Sequence, residues 1–215
     1  MHLEVLVEDS SGARLIEILL PKLIGEQGLE HSWRVHDHRG IGRLPSNLQA
    51  KPDPSKSCLL DKLPALLRAY GKTPGIDAVL VVLDSDQRPA LEFRAELEAL
   101  SGACSPAPPT VLIRLAVEEV EAWYFGDQAA LLAAYPRAKK KVLAGYRQDS
   151  VCGTWELLAD AVYPGGAAAV KKAGWPLPGQ LKHDWAAAIG PRMDVERNKS
   201  PSFGELREGL RRLIA

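Results

Sequence analysis

No CxxC pair, no GxSxG elbow and no Lys-Ser/Thr phosphate loop occur in this chain, and no apolar run approaches the ~20 residues of a membrane-spanning helix. Each absence removes a class. Three cysteines, Cys58, Cys104 and Cys152, are far apart and odd in number, so neither a disulfide framework nor a thiolate zinc site is indicated. Without a nucleophile elbow, and with no histidine near Cys58 or Cys152, serine and thiol hydrolases are disfavoured. The N-terminus lacks the basic start and apolar stretch of a secretory signal, so a cytoplasmic location and no membrane partner are expected. Neither repeats nor low-complexity tracts are visible.

Net charge is also missing. The 215 residues hold 27 basic and 27 acidic side chains, a zero balance that favours a non-catalytic accessory role over a nuclease. The balance is uneven, however. Residues 1–136 carry 13 Lys and Arg against 19 Asp and Glu, and the remaining residues reverse that excess. An acidic half beside a basic half suits an anionic substrate such as a phosphate ester, although such splits also arise by chance.

What is present is a repeated pattern. Three apolar runs each end in acid: Leu3-Glu4-Val5-Leu6-Val7 before Glu8-Asp9, Ala78-Val79-Leu80-Val81-Val82-Leu83 before Asp84-Ser85-Asp86, and residues 111–117 before Glu118-Glu119-Val120-Glu121. Short, β-branched runs of this kind read as strands buried on both faces of a parallel sheet. In open α/β sheets the carboxyl ends of the strands border the ligand crevice. Carboxylates gathered there repel one another unless a cation separates them, and hard oxygen donors favour Mg²⁺, Mn²⁺ or Ca²⁺.

Periodicity places the intervening elements. Strands are predicted over 3–7, 31–38 (an edge candidate), 78–83 and 110–117, and helices over 11–23, 57–70 and 89–100. Ser10 or Ser11 can cap the first helix, and Pro64 implies a kink or late start in the second. Between them lies a long basic loop from Arg39-Gly40-Ile41-Gly42-Arg43 to Lys51-Pro52-Asp53-Pro54-Ser55-Lys56. After Glu121 the chain turns helical, with segments predicted over 121–125, 128–134, 139–146, 154–162, 167–173 and 180–189 and a last helix to residue 213. Ser202 and Glu205 have capping-box spacing at its start. The alternation of strand and helix predicts a mainly parallel α/β sheet of about four strands flanked by helices, with a helical C-terminal half. One domain is expected over 1–215, an α/β core over 1–127 and a helical extension over 128–215 packed on it.

The acids form the candidate site. Asp84 and Asp86 leave a strand two residues apart, so both can reach one cation, although a turn or cap also uses Asp. Glu8 follows the first strand directly, where it could equally complement a helix N-terminus. Glu119 and Glu121 share a face if the strand continues to Val120, and diverge by about 200° if a helix begins at Glu118. Asp127 reads as an N-cap. His36 and His38 share a strand face but lack a third histidine at useful spacing, so solvated edge histidines are expected rather than zinc ligands. Arg39 and Arg43 in the glycine-containing loop can contact phosphates.

A glutamate after strand one, a DxD after a later strand and a following acidic cluster resemble the Toprim domain of topoisomerases, primases and OLD-family nucleases. The chain is also similar over nearly its whole length to an uncharacterised prokaryotic Toprim-like family known only as a domain of unknown function. That likeness is carried by Val117-Glu118-Glu119-Val120-Glu121-Ala122-Trp123 with Asp127, by Asp149-Ser150-Val151-Cys152-Gly153-Thr154-Trp155-Glu156, and by Asn198-Lys199-Ser200-Pro201-Ser202-Phe203. The resemblance implies a Toprim-like fold, with Glu8 as metal ligand or general acid/base, Asp84 and Asp86 as metal ligands, and Glu119 and Glu121 serving a second ion. It implies Lys182 as the lysine near the reacting phosphate. Relatives often carry a further acid four residues after the first glutamate; here that position is Gly12.

The expected function is a Mg²⁺- or Mn²⁺-dependent phosphodiester hydrolase acting on nucleic acid. The alternative is a non-catalytic accessory subunit, partnered with an ATPase in genome defence. A haloacid-dehalogenase-type phosphatase also uses DxD, but there the motif follows the first strand and continues with Thr or Val. Asp84-Ser85-Asp86-Gln87-Arg88 does neither.

Overall fold

The computed structural model describes residues 1–28, 30–51 and 53–215. Four strands form one sheet: β1 (His2–Val7), β2 (Ser32–Asp37), β3 (Ala78–Asp84) and β4 (Thr110–Ala116). The spatial order is β2-β1-β3-β4, and every neighbouring pair is parallel. The chain is therefore α/β, as its alternating elements predict, with β2 at an edge.

Alternation along the strands divides the core into two layers. Leu3, Val5, Val7, Ala78, Leu80 and Val82 face α1 (Ser10–Ile24) and the C-terminal helices. Leu6, Val79, Val81, Leu83, Ile113 and Leu115 face α2 (Leu59–Tyr70) and α3 (Ala90–Ala103). The central strand β3 is apolar on both faces and buried along its length until Asp84, which is why its sequence does not alternate.

The C-terminal half consists of α4 (Glu121–Gly126), α5 (Gln128–Ala134), α6 (Lys140–Gly145), α7 (Thr154–Val162), α8 (Gly166–Ala173), α9 (Leu177–Ile189), a 3₁₀ turn (Gly190–Arg192) and α10 (Pro201–Ile214). The same apolar cluster that holds Leu3 and Val5 also holds Trp123, Phe125, Trp185, Phe203 and Leu210. Trp123 meets Phe203 edge-on at 5.7 Å and its indole donates to Ser202 at 3.0 Å. These helices thus cover one sheet face and reach the carboxyl ends of the strands.

Several local expectations are corrected. Asp9, not Ser10 or Ser11, caps α1, accepting from the Gly12 amide at 2.7 Å. The second helix begins at Leu59 and simply contains Pro64. Ser200, not Ser202, caps α10, because Pro201 already occupies its first turn. Glu205 instead pairs with Arg94 at 2.5 Å. Helix α9 starts at Leu177, inside a stretch whose prolines and glycines read as a loop; Pro178 is tolerated because it falls in the first turn. The loop after β2 is irregular as expected, and its Pro52 lies outside the described residues.

Candidate metal centre at the strand ends

Strand β1 ends at Val7, and Glu8 reaches across to β3, where its Oε2 accepts from the Asp84 amide at 3.3 Å. Asp84 in turn accepts at Oδ1 from the Val120 amide at 3.0 Å, tying β3 to the segment after β4. That segment is laced further. Ser85 N donates to Ala116 O and Asp86 N to Glu118 O, both at 2.9 Å, while the Glu118 amide donates to the buried Ser85 hydroxyl at 2.9 Å. Asp86 and Glu118 both take positive φ, 51° and 59°. These sharp turns at adjacent strand ends redirect the chain after β3 and β4.

The turn at Glu118 resolves the two readings of Glu119 and Glu121. The strand stops at Ala116, and α4 begins only at Glu121. Neither regular geometry applies, and both carboxylates converge on Lys182 of α9. Its Nζ lies 3.2 Å from Glu119 Oε1 and 3.5 Å from Glu121 Oε2. Glu121 is only 1% exposed, so its pairing is enclosed rather than solvated. Glu119 is also anchored by the Trp155 amide at 2.8 Å.

The strand-end acids Glu8, Asp84, Asp86, Glu119 and Glu121 thus lie at one end of the sheet, with Lys182 beside Glu119 and Glu121. The charges of Asp86, Asp9 and Lys182 act on Glu8, and those of Lys182, Glu8, Glu121 and Glu119 act on Asp84. Asp9 is the member not singled out from sequence; its charge acts on Glu8, Glu121 and Lys182. Its adjacency to Glu8 was the available signal.

Crowding has an electrostatic cost. Burial, followed by the charge of Asp86, pushes the Glu8 carboxyl up to about 7. Burial and then Glu121 push Glu119 up to about 7 as well. Asp84 is raised well above the carboxylate range, mainly by burial, and Glu121 is raised by burial against the pull of Lys182. Burial alone would lower Lys182; the facing carboxylates of Glu121, Glu119, Asp84 and Asp9 override it and raise the ammonium above the ordinary lysine range. Five carboxylates share the Lys182 ammonium, while the exposed Asp86 pairs with Arg88 at 3.6 Å, so the enclosed part of the centre is short of positive charge.

All of these donors are carboxylate oxygens, the chemistry a hard divalent ion takes. Among the described residues, however, no three His, Cys, Asp or Glu side chains stand close enough together to hold a metal ion. The Lys182 ammonium occupies the space between Glu119 and Glu121. Beside the centre, a cleft of about 320 Å³ opens between Asp86, Glu118, Glu119, Trp155 and Glu156.

Other residues prominent in the sequence are framework. Glu118 accepts from the amides of Cys152, Gly153 and Thr154 at 2.8–3.0 Å and from the Thr154 hydroxyl, capping α7. Asp149 (φ 53°) accepts from Ser200 Oγ at 2.7 Å and Ser202 N at 2.6 Å, holding the start of α10. Asp127 caps α5, as expected, and also accepts from the Asp194 amide at 2.7 Å. Asn198 donates to Trp123 O at 2.8 Å. Gly12 sits where an added Cβ would lie 3.0 Å from Val7 Cγ1 and 3.3 Å from Asp9 Oδ1, so close packing explains the missing acid. Arg39 and Arg43 are both exposed; Arg39 borders a cleft beside β2, of which Arg43 is not a lining residue. His36 and His38 are half-buried rather than solvated, and His36 Nε2 lies 2.5 Å from the buried Glu4 carboxylate.

Comparison with known proteins gives a family but no activity. No curated protein matches the chain, and no solved structure does. A family model described as a domain of unknown function, DUF4276, matches residues 7–211. That span runs from the end of β1 to the last turn of α10, and the chain belongs to the DUF4276 family.

Proposed function

We propose that the acidic crevice holds Mg²⁺ or Mn²⁺ and that the protein is a phosphodiester hydrolase acting on nucleic acid. The observation that carries this reading is the meeting of Glu8, Asp84, Asp86, Glu119 and Glu121 at one rim. Burial first, and then mutual repulsion, raises the carboxyl groups of Glu8, Asp84 and Glu119. Toprim-like nuclease chemistry, suggested by the order Glu, DxD and acidic cluster, belongs to this proposal.

Glu8, Asp84 and Asp86 would hold the ion, with Glu119 and Glu121 beside them. When bound, it would supply charge neutralisation at the phosphate and activation of water. The chain's own groups do the rest. Where it is not bound to the ion, the Glu8 carboxylate is the group placed to accept a proton from an attacking water. Lys182 carries the positive charge that would offset the charge developing on a phosphate. The turns at Asp86 and Glu118 keep the acids at the rim without relying on mobile loops.

The test is incubation of purified protein with Mn²⁺ and plasmid, single-stranded DNA or RNA. Cleavage is expected, with Asp84→Ala and Asp86→Ala each reducing it at least about a hundredfold. Absence of cleavage on all three substrates, or cleavage unaltered by both variants, removes the mechanism.

One observation favours a second reading, a binding or accessory subunit working with an ATPase partner. Lys182 already pairs with two of the acids, and Gly12 has no room for a further ligand. Calorimetry separates the two: no Mg²⁺ or Mn²⁺ binding at millimolar concentration supports the accessory role.

A further inference from the structure

We propose that the cleft between the edge strand β2 and helix α2 is a binding site for a phosphate group. Its volume is about 290 Å³, and its polar lining is His36, Asp37, His38, Arg39, Ser57, Lys62 and Tyr70. These residues come from the strand, the loop after it and the helix. His36 and His38 project to the same side of β2, and the exposed Asp37 between them also borders the cleft. The wall therefore gathers two guanidinium or ammonium groups and two imidazoles, with a hydroxyl from Ser57 and a phenol from Tyr70.

The wall is built, not a chance meeting of surface lysines. Arg39 N donates to Ser57 O at 3.2 Å, and Gly40 O and Ile41 O accept from the Leu59 and Leu60 amides at 3.0 and 2.8 Å. The loop is thereby fastened to the first turn of α2, which carries Lys62. Gly40 N also donates to Glu8 O at 3.0 Å, which fastens the same loop to the end of β1. Behind the cleft, the buried Glu4 lies 2.5 Å from His36 Nε2 and 3.3 Å from His2 Nε2. The Glu4 carboxylate is occupied inward and fixes the His36 ring.

His38 shows the effect of this gathering. Its Nδ1 lies 3.1 Å from Val7 O, which can only accept, so Nδ1 carries a proton; in the neutral ring Nε2 accepts from a P–OH, and only a second proton makes it a donor to a phosphate oxygen. Burial first, then the charges of Lys62 and His36, hold this imidazole below its usual range, against the bond to Val7 O and the charge of Asp37. An entering anion would relieve that repulsion. A tetrahedral oxyanion with several acceptor oxygens suits a wall of converging donors.

The cleft lies one strand over from the acids, about 4.8 Å in sheet spacing. A polyanion could place one phosphate here and another at the acidic rim. That the two sites share one substrate rests on the reading above; the phosphate site itself does not.

Calorimetry in EDTA, with inorganic phosphate and with a short single-stranded oligonucleotide as separate titrants, tests the site without any metal. Phosphate is expected to bind the intact protein. The double variant Arg39→Ala/Lys62→Ala should weaken it at least about tenfold. Lys62→Glu, with fold checked by circular dichroism, should abolish binding by charge reversal at the same wall. Oligonucleotide binding lost in the same variants assigns the phosphate to a nucleic-acid strand, and phosphate binding alone assigns it to a free phosphate; both support the site. No phosphate binding by the intact protein, or equal binding by folded variants, overturns it. Failure of Mn²⁺ binding would count against the metal reading and leave this site standing.

Discussion

Lys182 shows how much a single side chain can carry. Its ammonium is 18% exposed and pairs with Glu119 and with the enclosed Glu121. Removing one partner of a buried pair leaves the other charge uncompensated, at a cost of about 3–5 kcal/mol. Lys182→Met should therefore lower stability by that order at pH 8. The loss should shrink at pH 5.5, where the acids can take protons instead. Urea unfolding at both values checks this, and an equal loss at both contradicts it. The unmodified protein should show a related trend. Glu8 and Glu119, ordinarily at 4.5 and pushed up to about 7, keep protons in the folded state that the unfolded chain has already released. Within that window the folded state binds more protons, so their contribution to stability falls as pH rises. His38, held below its usual 6.5, works in the opposite sense, but as one group against several acids. The melting temperature in EDTA should accordingly drop between pH 5 and pH 8, and a rise over that range would refute the electrostatic account. Glu8 and the DxD acids were legible as residues because each closes an apolar run. Asp9 was not, because two serines follow it as equally good caps and only the folded packing turns it toward the acids.

Among the elements, α7 depends on a residue outside itself. Gly153, its left-handed N-cap, has no side chain with which to satisfy the first amides, and Glu118 supplies that carboxylate from the far side of the acidic crevice. Burial opposes the charge on Glu118, but bonds from Thr154 and from the amides of Cys152, Gly153 and Thr154 outweigh it and hold the carboxyl below its usual range. Glu118→Ala should destabilise by about 3 kcal/mol, the loss of a charge-assisted cap with several amides left unsatisfied. Trp155, whose amide is bound by Glu119, should lose its fixed environment in the same variant. Denaturation with tryptophan fluorescence measures both, and a loss below about 0.5 kcal/mol would mean that water replaces the cap. Most elements were readable because their apolar spacing is set by burial. The strand and helix of 3.4 and 1.5 Å rise leave different periods, and α5 and α7 fall where the pattern puts them. Ends were less readable. Asp9, Ser200 and Glu118 cap helices according to which side chain tertiary packing brings near, and neither Ser202 nor Glu205 could signal that Pro201 would begin α10.

At the scale of the whole molecule, parallel strands bring acids separated by more than a hundred residues to one rim. The sheet order β2-β1-β3-β4 places β1 beside β3 and β3 beside β4, so Glu8, Asp84 and the turn after Ala116 are neighbours by topology. That arrangement could be anticipated from buried runs alternating with helices. The entry of α9 could not, since nothing in the spacing of Leu177–Ile189 announces that Lys182 will be lowered among the acids. The basic cleft beside β2 was only partly visible. Arg39 stood out in its loop, whereas Lys62 joins it through the fastening of that loop to α2. The central claim is that the rim shares a hard cation. A crystal soaked in Mn²⁺ tests it most directly. Anomalous density about 2.1 Å from oxygens of Glu8 and Asp84, with Lys182 displaced or retained beside it, is the predicted result. A well-ordered site at millimolar Mn²⁺ with no anomalous peak between those two carboxylates would contradict it.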